Sequence, residues 1–502
     1  MARQVEVLDW LRSGQAWSGA TPEIVETHAA VVFLVANRAF KLKKAVDLGY
    51  LDFSTLDKRR AVLERELVLN RRTAPNLYLG LRAVRRTGPV SFSFDGGGEV
   101  VEWLLEMRRF PANALLSEIA DRSQLDENII ERLASHVALF HEQEPLIDRY
   151  DWPSAVARIS SENTQDLRSQ GHTLGASRIE EAIAARESAH VRCADALAEQ
   201  SFEVRRCHGD LHLGNAFLEH DAPTLFDCIE FDDFYAVMPP LYDFSFLLMD
   251  LAARSLGRLA NRALNRWWAD RKPTSWRAIM RSLHALPLYL ALRAEIRAKT
   301  TARIPLQLPR ARGYLDLSPR LARQHPPILI AIGGLSGTGK SSAAHSVAWR
   351  VGVAPGAIHL RSDRIRKRLM GARDNDRLRP SDYTAATAAR VYGEMLELAA
   401  QALVAGHSVV IDAVFAQRDE REAVAQMASG LNVPFHGFWL DTPQALLETR
   451  LSQRIGDASD ADIAVLHKQL TYDLGAIDWL KVDASGSRES VAERISQSLA
   501  LG

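Results

Sequence analysis

Cysteine is scarce in this sequence. Cys193, Cys207 and Cys228 are the only three in 502 residues, and no two stand at a bridged or metal-binding spacing. That excludes a disulfide-stapled scaffold and a cysteine-held structural zinc, and predicts reduced thiols in a cytoplasmic protein. An excess of one charge is also missing, with 62 Lys plus Arg against 62 Asp plus Glu. No net field draws nucleic acid and no basic stripe carries interleaved aromatics, so nucleic acid is not an expected partner. No apolar run approaches the roughly 20 residues of a membrane span, and Met1–Gly14 lacks an apolar core of signal-peptide kind. No membrane role is expected. The length suits about two to four domains with real cores.

What is present centres on one stretch. The apolar run Ile328–Ile332 predicts a buried parallel strand, followed by Gly334-Leu335-Ser336-Gly337-Thr338-Gly339-Lys340-Ser341-Ser342 and a helix-prone segment to Ala348. Strand, glycine-rich loop and helix in that order are the context in which this motif binds nucleotide phosphates. Glycines let backbone N–H groups converge on phosphate oxygens, and the helix N-terminus adds partial positive charge. Lys340 is then expected to reach the β/γ-phosphates of ATP, and the Ser341 hydroxyl to hold Mg2+. The alternative is a glycine-rich turn that binds nothing.

Upstream, two apolar segments around Asn37-Arg38 predict a β-hairpin, from His28 to Lys44. Lysines alternate with apolar residues in its second strand, so Lys41 and Lys43 share a face. That face is either solvated or directs a lysine at ATP phosphates. Thr55–Arg72 predicts a charged helix with Val62, Leu63, Leu67 and Leu69 inward, where Glu64 or Glu66 could pair with a strand lysine. Leu79–Leu105 reads as strands broken by a turn at Asp95–Gly98, and Leu115–Glu142 and Pro153–Glu199 read as helical.

The segment His208-Gly-Asp210-Leu-His-Leu-Gly-Asn215, followed by Leu225-Phe-Asp227-Cys-Ile-Glu230, has the polar groups phosphoryl transfer needs. One carboxylate orients the attacking hydroxyl and takes its proton, while an amide and a second carboxylate hold Mg2+. A hairpin with capping Asp and Asn residues is the alternative. Asp243, inside the apolar helix that starts at Pro239, needs partners if buried and is expected to brace this loop. Prolines in Arg303–Pro327 suggest an irregular boundary near 318–326.

His208-Gly-Asp210-Leu-His-x-x-Asn215 and Leu225-Phe-Asp227 resemble the catalytic loop and magnesium aspartate of the aminoglycoside phosphotransferase family, relatives of the protein kinases. The resemblance spans about residues 28–300. It implies Asp210 as catalytic base and Asn215 and Asp227 as metal ligands. Ala39-Phe-Lys41 is similar to the kinase Ala-x-Lys strand, which implies Lys41 as the phosphate lysine, Lys43 as second choice and Glu66 as helix partner. The chain departs from kinases in having no glycine-rich loop of their type. It also carries Asp227-Cys-Ile-Glu230 in place of Asp-Phe-Gly, which leaves open a third carboxylate at the metal.

From Ile328 the chain resembles small P-loop kinases such as gluconate kinase, polynucleotide kinase and zeta-toxin-like enzymes. That implies Asp363 as activator of the acceptor hydroxyl and Arg366, three residues on, as an acceptor ligand. An N-capping role is the alternative for Asp363. Ser408-Val-Val-Ile-Asp412 is a second buried strand ending in an acid, a Walker-B-like candidate for outer-shell Mg2+. In such kinases a lid helix brings arginines onto the transferring phosphate, which implies Arg450 and Arg454, four apart on one helix face, with surface solvation as the alternative, and Arg418 and Arg421 could reach substrate. The pairing resembles bacterial proteins described as bifunctional aminoglycoside phosphotransferase and ATP-binding protein.

The expected architecture is therefore α+β followed by α/β. A two-lobed kinase-like domain (1–318, small lobe about 1–105, helical lobe about 106–318) leads through a linker (319–327) to a parallel-sheet P-loop domain (328–502). The expected activity is phosphoryl transfer, twice, from ATP with Mg2+ to a hydroxyl of a small polar metabolite such as a sugar or aminocyclitol. The alternatives are that one half is a silent nucleotide-binding module, or that the P-loop half is a nucleic-acid or nucleotide-sugar kinase.

Overall fold

A computed structural model describes residues 2–499 except 28, 48, 50, 200, 201 and 454–458. The chain gathers into two compact units. One comprises Met1–Leu133, Glu144–Asp148 and Val204–Asp243, the other Ala134–Gln143, Arg149–Glu203 and Phe244–Gly502.

In the first unit, β1 (Glu23–Glu26), β2 (Ala30–Val35), β3 (Arg38–Lys43), β4 (Tyr78–Arg86), β5 (Phe92–Ser93) and β6 (Glu99–Arg108) form one antiparallel sheet. Its order is β1-β2-β3-β6-β4-β5. The period of two in β3 sends Phe40 and Leu42 into a core with Val7, Leu11, Trp17, Val31 and Phe33. Lys41 and Lys43 are left together on the other face. That face meets the helix Leu56–Asn70, whose N-cap Thr55 accepts from Lys58 N at 3.3 Å. This helix buries Glu66 beside Val62 and Leu63. Two short ribbons complete the unit: β7 (Arg205–Arg206) with β10 (Val237–Met238), and β8 (Ala216–Glu219) with β9 (Ala222–Leu225). They bracket the loops that carry Asp210 and Asp227.

The second unit contains a helical region and a parallel sheet. The sheet comprises β11 (Leu329–Gly333), β12 (Ile358–Arg361), β13 (Val409–Asp412), β14 (Phe435–Asp441) and β15 (Leu480–Asp483), in the order β12-β13-β11-β14-β15. All neighbours are parallel. Every residue of the central strand β11 is buried, which is why it reads as an unbroken apolar run. Ile330 and Ile332 pack with Ala344, Val347, Val410, Phe438 and Ile495. On β14, Gly437 lies under the Trp479 indole, where a Cβ would come within 2.4 Å of the ring. Trp479 also meets Phe415 edge-on, with ring centroids 4.9 Å apart.

The helices Gly257–Asp270 and Pro273–Ser282 belong to this unit and are bonded to the sheet region. Arg277 pairs with Glu394 and Glu397, and buried His407 Nε2 lies 3.0 Å from Leu283 O. Where prolines predicted an irregular stretch, Leu308–Leu321 is a helix. Pro309 falls in its first turn, where no N–H is required. Ala311, Tyr314, Leu315 and Ser318 are buried at helical spacing. Among the described residues, no helix is long and apolar enough to cross a membrane.

Two candidate active sites

The first site is built on three segments of the first unit. The loop after β7 turns at Gly209, with φ +85°, where a Cβ would come within 2.8 Å of Tyr235 O. Buried Asp243 holds that turn, its carboxylate accepting from Gly209 N at 2.8 Å and His208 N at 3.2 Å. His208 Nε2 lies 2.9 Å from Phe226 O, which ties this loop to the next. Asn215 Nδ2 donates to Asp210 Oδ2 at 2.8 Å and to Asp210 O at 2.9 Å. Asp227 sits at φ +59°, with its backbone N donating to Tyr78 Oη at 3.1 Å. Cys228 N donates to buried Asn70 Oδ1 at 2.9 Å.

The third segment is β3. Lys41 Nζ reaches Glu66 at 2.7 Å and Asp227 at 2.6 Å. Lys43 Nζ reaches the other Glu66 oxygen at 2.7 Å and Glu230 at 2.6 Å. Glu66, with a side chain 0% exposed, thus bridges both lysines. Burial alone would lower the Lys41 pKa, but Asp227, Glu66 and Glu230 outweigh it and hold the ammonium well above its usual value. Burial likewise pushes Asp227 up, and Lys41 and Lys43 reverse this to leave the carboxyl below its usual value. At Glu230 burial wins, and the carboxyl is raised despite Lys43. The Asp227 side chain is 41% exposed, whereas Lys43 is 5% exposed. Both hydrogen bonds of the Asn215 side chain use Nδ2. Its Oδ1 and the exposed Asp227 carboxylate are hard oxygen donors of the kind Mg2+ takes.

The second site lies at the carboxyl ends of the parallel strands, where open α/β sheets bind ligands. The register pairs Asp412 with Ile332 on one side and Arg361 on the other, so three strand tips stand side by side. Gly334, at φ +141°, leaves room that a Cβ would lose to Leu440 O at 2.8 Å and Thr338 Oγ1 at 3.0 Å. Gly337 and Gly339 also have positive φ, and Gly339 caps the helix Lys340–Ala348. Thr338 Oγ1 donates to Leu335 O at 2.8 Å, and Lys340 Nζ to the same carbonyl at 2.9 Å. Ser336 N donates to Gln469 Oε1 at 2.8 Å, and Ser342 follows in the first turn of the helix.

Ser341 Oγ lies 3.2 Å from Asp412 Oδ1, and His359 Nε2 lies 2.7 Å from Asp412 Oδ2. Burial raises the Asp412 carboxyl, but the His359 hydrogen bond and positive charge from Arg361 and Lys340 outweigh it and leave it below its usual value. Burial also lowers the His359 pKa. The His359 ring and the Asp412 carboxylate are thus partners in a buried setting. That carboxylate and the Ser341 hydroxyl form the hard-oxygen pair suited to Mg2+.

Asp363 follows β12 in the first turn of the helix Ser362–Leu369. The N-cap of that helix is Arg361, so the capping alternative for Asp363 does not hold. Arg366, one turn on, lies over the Tyr383 ring at 5.1 Å. The Tyr383 hydroxyl donates to Asp460 at 2.7 Å, and burial, Asp460 and Asp363 together raise its pKa.

The other expected arginines are engaged elsewhere. Buried Arg421 donates to Phe415 O, Ala416 O, Leu474 O and Ala476 O at 2.6–3.0 Å, which makes it a clamp on two loops rather than a substrate ligand. Arg450 donates to Ala484 O at 2.9 Å and also reaches Ser485 O and Gly486 O. Arg418 is 68% exposed and paired with Glu422. Arg454 lies outside the described residues. Sequence reasoning missed Lys43–Glu230, Tyr78, Asn70, Gln469 and His359. Only His359 had a signal, as a polar ring in a short buried parallel strand.

Residues 95–280 match the family model described as Phosphotransferase enzyme family, and residues 329–472 match the AAA domain model. An uncharacterized protein of Mycobacterium tuberculosis is 29% identical over 496 residues, 93% of each chain, and one of Mycobacterium bovis is equally similar. Among solved structures, a choline/ethanolamine kinase family protein from Mesorhizobium loti is 14% identical. It covers 64% of this chain and 94% of its own, with TM-score 0.38. A sugar kinase from Janibacter sp. HTCC2649 is 22% identical, covering 35% of this chain and 96% of its own, with TM-score 0.27.

Proposed function

Starting from an ATP-dependent phosphotransferase that joins a phosphotransferase-family region to a P-loop AAA-family region, we propose that the protein is a bifunctional small-molecule kinase. Residues 1–318 carry one reaction and residues 328–502 the other, each transferring the γ-phosphoryl group of ATP to a hydroxyl of a polar metabolite such as a sugar or aminocyclitol. The observation that carries this reading is the continuity of the first site. Asp210 is bonded to Asn215, and Lys41 joins Asp227 to Glu66, so base, oxygen ligands and phosphate lysine come from adjoining segments.

In the first site Asp210 accepts the proton of the acceptor hydroxyl as its oxygen bonds to the γ-phosphorus and the bond to the β-γ bridging oxygen breaks, releasing ADP. Lys41, held by Glu66, binds the phosphates. Lys43 is the deeper partner that keeps Glu66 in place. Asn215 and Asp227 would hold magnesium. In the second site the amides of Gly334–Ser342 and Lys340 bind the triphosphate, Ser341 and Asp412 hold magnesium, Asp363 takes the acceptor proton and Arg366 orients the acceptor. Magnesium, when bound, neutralises charge on the transferring group in both. A positioned base contributes about 10^2–10^4-fold to such a step.

The test uses labelled ATP with a metabolite-extract screen on wild type, Asp210→Ala and Asp363→Ala. Each substitution is expected to remove a different labelled product and spare ATP binding. A second reading makes the P-loop half a nucleotide-responsive module without acceptor chemistry. It is favoured by Arg450, which is committed to loop carbonyls rather than to a lid role. Asp363→Ala without effect on any product would establish that second reading.

A further inference from the structure

The magnesium side of the P-loop site is tied to a helix outside the P-loop family match. Asn265 stands on the helix Gly257–Asp270, inside the 95–280 match and outside 329–472. Its Oδ1 accepts from His359 N at 2.7 Å and from Trp268 Nε1 at 3.0 Å. Its Nδ2 donates to Ala357 O at 3.1 Å, and Asn261 Nδ2 donates to the same carbonyl at 3.0 Å. The strand β12 is the edge of the parallel sheet, so its outward backbone groups need partners. Two asparagines from a distant part of the chain supply them.

The connection continues through the strand. The His359 ring reaches Asp412 Oδ2, while Asp412 Oδ1 faces the Ser341 hydroxyl. Asn261, Asn265, His359 and Asp412 are each at most 5% exposed. Hydrogen bonds in so dry a setting fix orientation strongly. The same helix also grips the segment that bears Asp363 and Arg366. Arg266 Nη1 pairs with Asp374 at 2.6 Å, and Asp270 pairs with Arg368.

We propose that Asn265 and His359 are positioning residues of the P-loop site, through which the helix Gly257–Asp270 sets the orientation of the Asp412 carboxylate toward a magnesium-bound nucleotide. The inference rests on the P-loop reading above and adds a dependence that residues 329–472 do not contain. Outer partners of metal ligands are worth about 10–100-fold in metal affinity.

The experiment uses the full chain in an Asp227→Asn background, which removes the magnesium carboxylate of the other site. ATP binding is titrated calorimetrically with Mg2+ and with EDTA, alongside thermal melts. His359→Ala and Asn265→Ala are each expected to weaken Mg-ATP binding about tenfold or more, while metal-free ATP binding changes less than about twofold. His359→Gln, whose amide can donate to Asp412, is expected to recover most of the loss. If Asn265→Ala fails to fold, Asn265→Ser replaces it. Equal losses with and without Mg2+, or no loss in either, overturn the proposal. Lys340→Ala serves as the reference. If it keeps full ATP affinity, the phosphate-loop reading fails first and takes this inference with it.

Discussion

The two candidate sites place their lysines in different surroundings. In the first, Lys41 sits in a lattice of opposite charges, with Glu66 shared by a second lysine that is itself paired to Glu230. In the second, Lys340 donates to the Leu335 carbonyl within a loop whose glycines have positive φ, and its charge also acts on Asp412. A lattice of buried charges stands or falls as a set, because removing one member strands another in a dry environment. A loop of backbone groups carries its geometry in its torsions, so deleting one side chain there costs ligand and not fold.

That contrast can be broken in four ways. The largest expected effect is Glu66→Ala, which removes the carboxylate shared by Lys41 and Lys43 and leaves each with one acidic partner. It should cost about 3–5 kcal/mol, read as a lowered urea midpoint, and a loss under about 1 kcal/mol would mean that the lattice is not cooperative. Lys340→Ala should weaken nucleotide binding by the P-loop site about 10- to 100-fold, as loss of a charged hydrogen bond predicts, and leave the melting temperature near wild type. Unchanged affinity, or a collapse in stability, would erase the distinction between the sites.

The third test is pH. Asp227 is depressed, so its contribution is present above its usual value near pH 4 and lost as pH falls through the lower folded value. Lys41 is raised, so its contribution is present below about pH 10.4 and lost as pH rises through the higher folded value. Glu230 is raised and subtracts stability as pH climbs past about 4.3 toward its folded value. Asp227→Asn should therefore flatten the acid arm of the urea-midpoint profile. Screening at the partly exposed Asp227 makes that arm shallow. The smallest effect is Arg418→Ala, which removes a solvated helix pair and should leave the urea midpoint near that of wild type.

Much of this was legible in the sequence where local order carries the information. The strand, loop and helix around Lys340 follow one another without a break. The alternation of β3 put Lys41 and Lys43 on one face, and Asp210 and Asn215, expected on one loop, are hydrogen-bonded to each other. The expected fold class, kinase-like followed by a parallel P-loop sheet, is the one the chain adopts. Contacts between distant segments were not legible. Nothing near Lys43 announces Glu230, and nothing near Asn265 announces His359, since both pairings are made by tertiary packing. Arg421 looked like a substrate ligand because its side chain is charged, yet its guanidinium is used on four backbone carbonyls. The helix Leu308–Leu321 was hidden by its prolines, although one falls where a helix tolerates it best.

Trp479 gives the second site an optical consequence. Its indole rests on Gly437 and also approaches Gly333, the residue from which the phosphate loop departs. A ring packed that closely senses small shifts of the backbone beneath it, so nucleotide arrival should change the intrinsic emission of the unlabelled protein. Subtracting the signal of Trp479→Phe would isolate that emission from the other indoles and turn a packing contact into a native probe of loop occupancy.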